Sequence, residues 1–207
     1  MVVHVAVSLD GSTTGFDADV ERFYALARTW EEDVTLAGAD TILAQEEALA
    51  TVPRPGPAAE GPLLAVVDGR RRVSAWDALR DCGHWSGVVA LRAGGAPGHA
   101  GTQPVREIVA GAQRVDLAAA LGELGEREGT GVVRVDSGGG LIGALLHDGL
   151  VDELSLLIHP CIAAGGDRRA WHGPAPVPAL ALERLGSERY DDGVVWLRHR
   201  IAGPVSR

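Results

Sequence analysis

The stretch Val132-Val133-Arg134-Val135-Asp136-Ser137-Gly138-Gly139-Gly140-Leu141-Ile142-Gly143 carries the strongest chemical signal in the chain. An apolar, β-branched run enters three glycines and leaves in an apolar helical pattern. Glycines there let the backbone come close to a ligand, and a helix N-terminus offers free N–H groups with partial positive charge. The combination suits a pyrophosphate. The spacing is not G-x-G-x-x-G, and a glycine triplet after a strand is also an ordinary tight turn. Two more turns follow strand-like runs in the same way. Ala37-Gly38-Ala39-Asp40-Thr41 opens a helix, and Asp68-Gly69-Arg70-Arg71-Arg72 gathers three guanidinium groups. Ligands of open α/β sheets collect at the carboxyl ends of strands, so these turns suggest one elongated ligand. The arginines either bind the 2′-phosphate that separates NADPH from NADH or form a solvated basic turn.

Other chemistries are excluded by what the chain lacks. All 19 basic residues are arginine, with no lysine, so a Schiff base or a P-loop lysine is impossible. Any phosphate gripped by a cationic side chain is gripped by an arginine fork. The net charge of −9 argues against a nucleic-acid partner. Cys82-Gly-His84 and His159-Pro-Cys161 have a shorter spacer than structural zinc sites use, and two cysteines make no disulfide framework. Ser137 stands in no Gly-x-Ser-x-Gly elbow. Neither His-x-Glu nor Pro-Cys-x-x-Cys occurs, so no zinc-deaminase module is expected. His4, His99, His172 and His199 show no metal-binding spacing. No apolar run reaches the roughly 18 residues of a membrane span. The start, Met1 to Val7, reads as a buried strand and not a signal peptide, which places the protein in the cytoplasm.

The elements that must position these turns are short. Strands are expected at 2–7, 33–37, 63–67, 87–91, 106–109, 131–136 and 152–159. Helices are expected from an Asp17 cap to Trp30, after Gly38, from an Asp116 cap to Glu128, and from the glycine triplet to His147. Residues 52–62, rich in proline, form a loop. Segments 179–190 and 193–201, joined by Asp191-Asp192-Gly193, read as a hairpin. Together they give an α/β fold: one domain over 1–207, a mostly parallel central sheet with flanking helices and an antiparallel C-terminal hairpin. Trp171, in a loop after Gly165-Gly166, either borders a planar substrate or is a surface aromatic.

Several motifs occur in a familiar order: Ser8-Leu9-Asp10-Gly11, Gly38-x-x-Thr41, the Asp68–Arg72 turn and Asp136-Ser137-Gly138-Gly139-Gly140. The run from Leu141 through Gly149-Leu150-Val151-Asp152-Glu153-Leu154 to Pro160 completes it. The chain resembles, from end to end, the C-terminal reductase domain of the bifunctional riboflavin deaminase-reductase, within the dihydrofolate-reductase-like three-layer fold. That resemblance implies a hydride passed from NADPH to the ribosyl carbon of an aminopyrimidine ribose phosphate. By it, Gly138, Gly139, Gly140 and Leu141 hold the pyrophosphate, Gly38 and Thr41 line the nicotinamide side, and Arg70 and Arg72 read the adenosine phosphate. Ser8, Asp10 and Asp136 face the substrate. Asp10 and Asp136 are the candidate proton donors, or else turn aspartates that cap backbone N–H groups. It also implies a homodimer with the late strands near the two-fold axis, covering the apolar edge Val194-Val195-Trp196-Leu197.

The substrate half of the pattern departs from the family. Where the family carries Asp-Asp-Pro and then Leu-Thr-x-Arg, this chain has Ala44 to Arg54 with three glutamine or glutamate side chains and one arginine. The alternatives that remain are a dihydrofolate or pterin reductase of the same fold, and a nucleotide-binding protein without catalysis.

Overall fold

The structure is a computed structural model and describes residues 1–95, 105–165 and 169–205. His99 and Gly166 lie outside the described residues. Backbone contacts sort the chain into two compact units, one made of Met1–Glu31 with Arg134–Arg207 and the other of Glu32–Val133.

The first unit is built on β1 (Val2–Ser8), which pairs in parallel with β6 (Val133–Val135) and with β7 (Glu153–His159). Flanked on both sides, β1 is buried at six of its seven positions, which explains its unbroken apolar run. The strand order in this unit is β6-β1-β7-β9-β8. β8 (Leu180–Arg189) and β9 (Val195–Pro204) form the expected hairpin, and β9 runs antiparallel to β7. Gly193 supplies the positive φ of +85° that the turn needs, and Tyr190 and Val194 close it. The segment Val194 to Leu197 is therefore no edge, a correction to the sequence expectation: β9 has a partner on each side. The outermost strand is β8, which exposes Leu182 and Leu185.

Helix α1 (Val20–Ala27) is shorter than the sequence suggests, and its cap is Asp19, not Asp17. The Asp19 carboxylate accepts the Arg22 N–H at 2.9 Å, and its own N–H donates to His159 Nε2 at 3.0 Å. The helix tightens into a 3₁₀ turn at Arg28–Trp30. Under it lies His4, 1% exposed. Its Nε2 meets the Phe23 carbonyl at 3.0 Å, and a carbonyl only accepts, so Nε2 carries the proton. Nδ1 then accepts from Ser155 Oγ at 2.8 Å, which itself accepts the Trp196 indole N–H at 2.8 Å. Burial pushes the His4 pKa down to about 4, so the ring is neutral.

The second unit is a parallel ladder in the order β5-β4-β3-β2, formed by β2 (Val34–Gly38), β3 (Leu63–Val67), β4 (Gly87–Arg92) and β5 (Arg106–Val109). Leu64, Val66 and Ala90 pack with Ile42, Trp76 and Leu79 from the helices and with Val73 from the segment just ahead of Trp76. These helices are α2 (Ala39–Leu43), α3 (Glu46–Thr51) and α4 (Trp76–Asp81). Helix α5 (Leu117–Glu128) starts at the expected Asp116 cap and ends at Gly129 with φ +66°. β6 begins later than expected because Asp33 accepts the Gly131 and Val132 N–H groups, at 2.7 and 2.8 Å, ahead of the strand. Those two donors hold the Asp33 carboxyl below the usual carboxylate range. The mixed α/β class, mostly parallel with an antiparallel C-terminal hairpin, is as the sequence expects.

Candidate functional site

In the first unit, β1 ends at Ser8, whose buried hydroxyl donates to Asp10 Oδ1 at 2.7 Å and accepts the Ser12 N–H at 3.1 Å. Gly11, at φ +79°, reverses the chain. Asp10 Oδ1 also accepts the Ala163 N–H at 3.0 Å. Asp10 thus ties its own turn to the segment after β7, the capping role that was the second reading of this residue.

Helix α6 (Gly139–His147) starts directly after β6 with Gly138 as its cap and no side chain capping it. Its first-turn N–H groups lack helical partners by geometry. The three glycines divide by role. A Cβ at Gly139 would lie 2.2 Å from the Ala170 carbonyl oxygen and 2.4 Å from the Gly173 nitrogen. One helical turn on, a Cβ at Gly143 would lie 2.2 Å from the His172 carbonyl oxygen. These two glycines admit the backbone of residues 170–173 onto the helix. Gly138 and Gly140 are exposed and have open space where a Cβ would stand. The segment against α6 is held from its other side as well, by Thr13 N–H to the Arg169 carbonyl at 2.9 Å and Trp171 N–H to the Gly11 carbonyl at 3.1 Å. The Ser8 turn, residues 169–173 and the start of α6 are consequently one linked assembly. Trp171 is half-buried, near the Gly11 backbone.

Asp136, half-buried between β6 and Gly138, takes an ion pair from buried Arg134 at 3.4 Å. It also faces the hydroxyl of Tyr24 on α1, whose pKa is raised by burial first and by the Asp136 charge second. Sequence reading did not anticipate this pairing; nothing local signals a contact across more than a hundred residues.

In the second unit, Gly38 caps α2 with φ −90°, an ordinary extended conformation, and Thr41 lies half-buried in that helix. The turn after β3 is organised by Asp68, which is 1% exposed. Its carboxylate accepts the Arg72 and Val73 N–H groups at 2.9 and 3.0 Å and the Arg92 guanidinium at 2.5 Å. Arg92, itself 1% exposed, also reaches the Asp68 carbonyl at 2.9 Å and lies over the Trp76 ring. Arg71, at φ +55°, folds back to grip Glu107 bidentately at 2.6 and 2.9 Å. Of the three arginines, Arg71 is therefore structural. Arg70 is exposed, with no ion pair among the described residues. Arg72 is exposed and pairs with Asp40 of α2 at 2.7 Å. That pair joins the two turns which the resemblance assigned to opposite ends of a dinucleotide. The supporting residues Asp68, Arg92 and Glu107 were not anticipated; an arginine closing a strand and an acid opening another give no sign of their meeting.

Among the described residues, no group of three His, Cys, Asp or Glu side chains is arranged to hold a metal, and no helix is long and apolar enough to cross a membrane. Cys82 is buried and its thiol donates to the Leu79 carbonyl.

The sequence model of the RibD C-terminal domain family matches residues 1–196. Solved structures with the same fold include a pyrimidine reductase-like protein from Corynebacterium diphtheriae, with TM-score 0.67 and 18% identity over 97% of this chain and 90% of that one. The riboflavin biosynthesis reductase of Saccharomyces cerevisiae has TM-score 0.68 and 18% identity over 97% and 89%. A diaminohydroxyphosphoribosylaminopyrimidine deaminase/5-amino-6-(5-phosphoribosylamino)uracil reductase from Thermotoga maritima has TM-score 0.68 and 17% identity over 97% of this chain but 56% of that one. No curated protein matches the chain.

Proposed function

Because the chain belongs to the RibD C-terminal domain family, we propose that it is an NADPH-dependent reductase of a ribosylated aminopyrimidine, acting on 5-amino-6-(5-phosphoribosylamino)uracil or a close relative. The observation that carries this reading is the start of α6. Gly139 is locked under residues 170–173 while Gly138 and Gly140 leave open space before the first-turn N–H groups. A Cβ at position 140 would fill that space. A cradle of this kind accepts a pyrophosphate, with Leu141 completing the first turn. Arg70 offers a fork engaged by no described residue and Arg72 one held by an exchangeable carboxylate, which fits the adenosine phosphate. We assign Gly38 and Thr41 to the same phosphate end, because of the Arg72–Asp40 pair. NADPH, when bound, supplies the hydride. The protein's own task is to position substrate and hold a proton. Asp136, beside Tyr24, is better placed for that proton than Asp10, which already accepts two hydrogen bonds within its assembly. Ser8 and Asp10 shape the substrate side.

The family match runs through both units, which supports residues 1–207 as one functional domain. A cytoplasmic location fits NADPH use. A homodimer is part of the same reading, with the exposed leucines of β8 as its contact. Sedimentation equilibrium that returns only the 21.6 kDa monomer would count against it.

The test is NADPH titration by fluorescence on the protein and on an Arg70→Ala, Arg72→Ala double variant, followed by turnover with the aminouracil substrate and with dihydrofolate. Binding that weakens at least tenfold in the variant (about 1.4 kcal/mol), with turnover of the aminouracil, supports the reading. Turnover of dihydrofolate alone moves the protein to a dihydrofolate or pterin reductase, and binding without turnover of either makes it a nucleotide-binding protein. Absence of nucleotide binding overturns the proposal.

A further inference from the structure

Two chemical determinants of ribose recognition stand side by side in the second unit. An arginine fork reads a ribose 2′-phosphate, whereas a carboxylate reads a bare ribose 2′-hydroxyl by accepting its hydrogen bond. A dedicated site presents one of them. Here Arg72 and Asp40 present both, 2.7 Å apart, at the surface: their side chains are 42% and 80% exposed. Asp40 is in the first turn of α2, on the turn that carries Gly38 and Thr41. Its partner is fixed from below, because the Arg72 backbone N–H is held by the buried Asp68 carboxylate. The turn is thus rigid while the Arg72 head and the Asp40 carboxylate face solvent.

From this juxtaposition we propose that Asp40 is a specificity-determining residue which blunts the preference for NADPH, so that the protein also takes NADH. The inference rests on the nucleotide reading given above. An incoming 2′-phosphate must displace Asp40 from Arg72 and then endure a second negative charge beside it. The gain from the arginine is offset by the lost ion pair and the repulsion. An unphosphorylated ribose needs no displacement: its hydroxyl donates to the carboxylate while the Arg72–Asp40 pair stays in place. Arg70, unengaged among the described residues, keeps some preference for the phosphate. The outcome is a site that discriminates between the two nucleotides by about tenfold or less, since exposed ion pairs of this kind are individually weak.

The experiment measures NADPH and NADH affinities of the full chain, of Asp40→Asn, of Arg72→Ala and of the double variant. Adenosine 2′,5′-bisphosphate and AMP serve as probes of the adenosine end alone. In Asp40→Asn, NADPH should bind more tightly and NADH more weakly, raising their affinity ratio about three- to tenfold. The part of the change owed to the ion pair should be absent in the Arg72→Ala background, and the whole change should shrink at about 0.5 M salt, where exposed charges are screened. If NADPH binds and Asp40→Asn leaves the ratio unchanged, the inference fails and the reductase reading stands. A native protein that prefers NADPH by clearly more than about tenfold sinks it equally. Binding of neither nucleotide by the unaltered protein overturns both.

Discussion

A single methyl group separates the roles of neighbouring glycines at the start of α6. At Gly139 it would meet backbone on two sides, and backbone cannot step aside as a flexible side chain does. At Gly140 it would meet nothing in the protein. Gly139→Ala should therefore cost on the order of 2–4 kcal/mol in urea denaturation, as overpacking against fixed backbone does. Gly140→Ala should keep or slightly raise stability, because alanine is the better helix former. It should nevertheless weaken nucleotide binding by closing the cradle. A Gly140→Ala protein that binds NADPH like the unaltered one would remove the pyrophosphate from this helix. The arginines show the same division of labour. Arg71 spends its fork on Glu107, Arg72 on Asp40, and Arg70 on no described residue, although the three are consecutive.

Among the elements, the turn between β3 and α4 has the most to lose. The Asp68 carboxylate holds two backbone N–H groups and the buried Arg92. Asp68→Ala would leave Arg92 without its closest counter-charge, with Glu107 3.5 Å away as the remaining acid. Breaking one side of a buried pair costs about 3–5 kcal/mol. Chemical denaturation should show a loss of that size, while Arg70→Ala, at an exposed position, should stay within roughly 0.5 kcal/mol. A loss below about 1 kcal/mol for Asp68→Ala would mean that the turn is held by its backbone alone. Helix α1 shows the limit of capping signals in sequence. Asp17 and Asp19 are equally good capping residues, and the contact of the Asp19 N–H with His159, 140 residues away, accompanies the cap that is used.

At the scale of the whole molecule, buried His4 links stability to pH. Its folded pKa, near 4, is below the unfolded value of 6.5, so between those values the unfolded chain binds more protons. The contribution is complete above pH 6.5 and is lost as pH falls toward 4, up to roughly 3 kcal/mol. His4→Gln cannot gain that proton. Its stability curve should be flatter than that of the unaltered protein across this window, and superimposable slopes would show that the ring is not buried neutral.

The alternation of β-branched runs with helical patterns determined the α/β class, most strand positions, the Asp116 cap and the C-terminal hairpin, because those signals act between residues close in the chain. Absence of lysine settled which phosphate ligands the protein can use. The order of its motifs was enough to recognise the family. Tertiary structure alone decided which glycine admits a neighbouring backbone and which faces open space, since Ala170 and Gly173 are some thirty residues from Gly139. It decided that β8, and not β9, lies outermost in its ladder, because strand order is fixed by pairing partners and not by strand composition. It also paired Arg72 with Asp40, Asp136 with Tyr24 and His4 with Ser155. Each pairing depends on where a distant carboxylate, phenol or hydroxyl arrives once the strands are in register, which no local periodicity encodes.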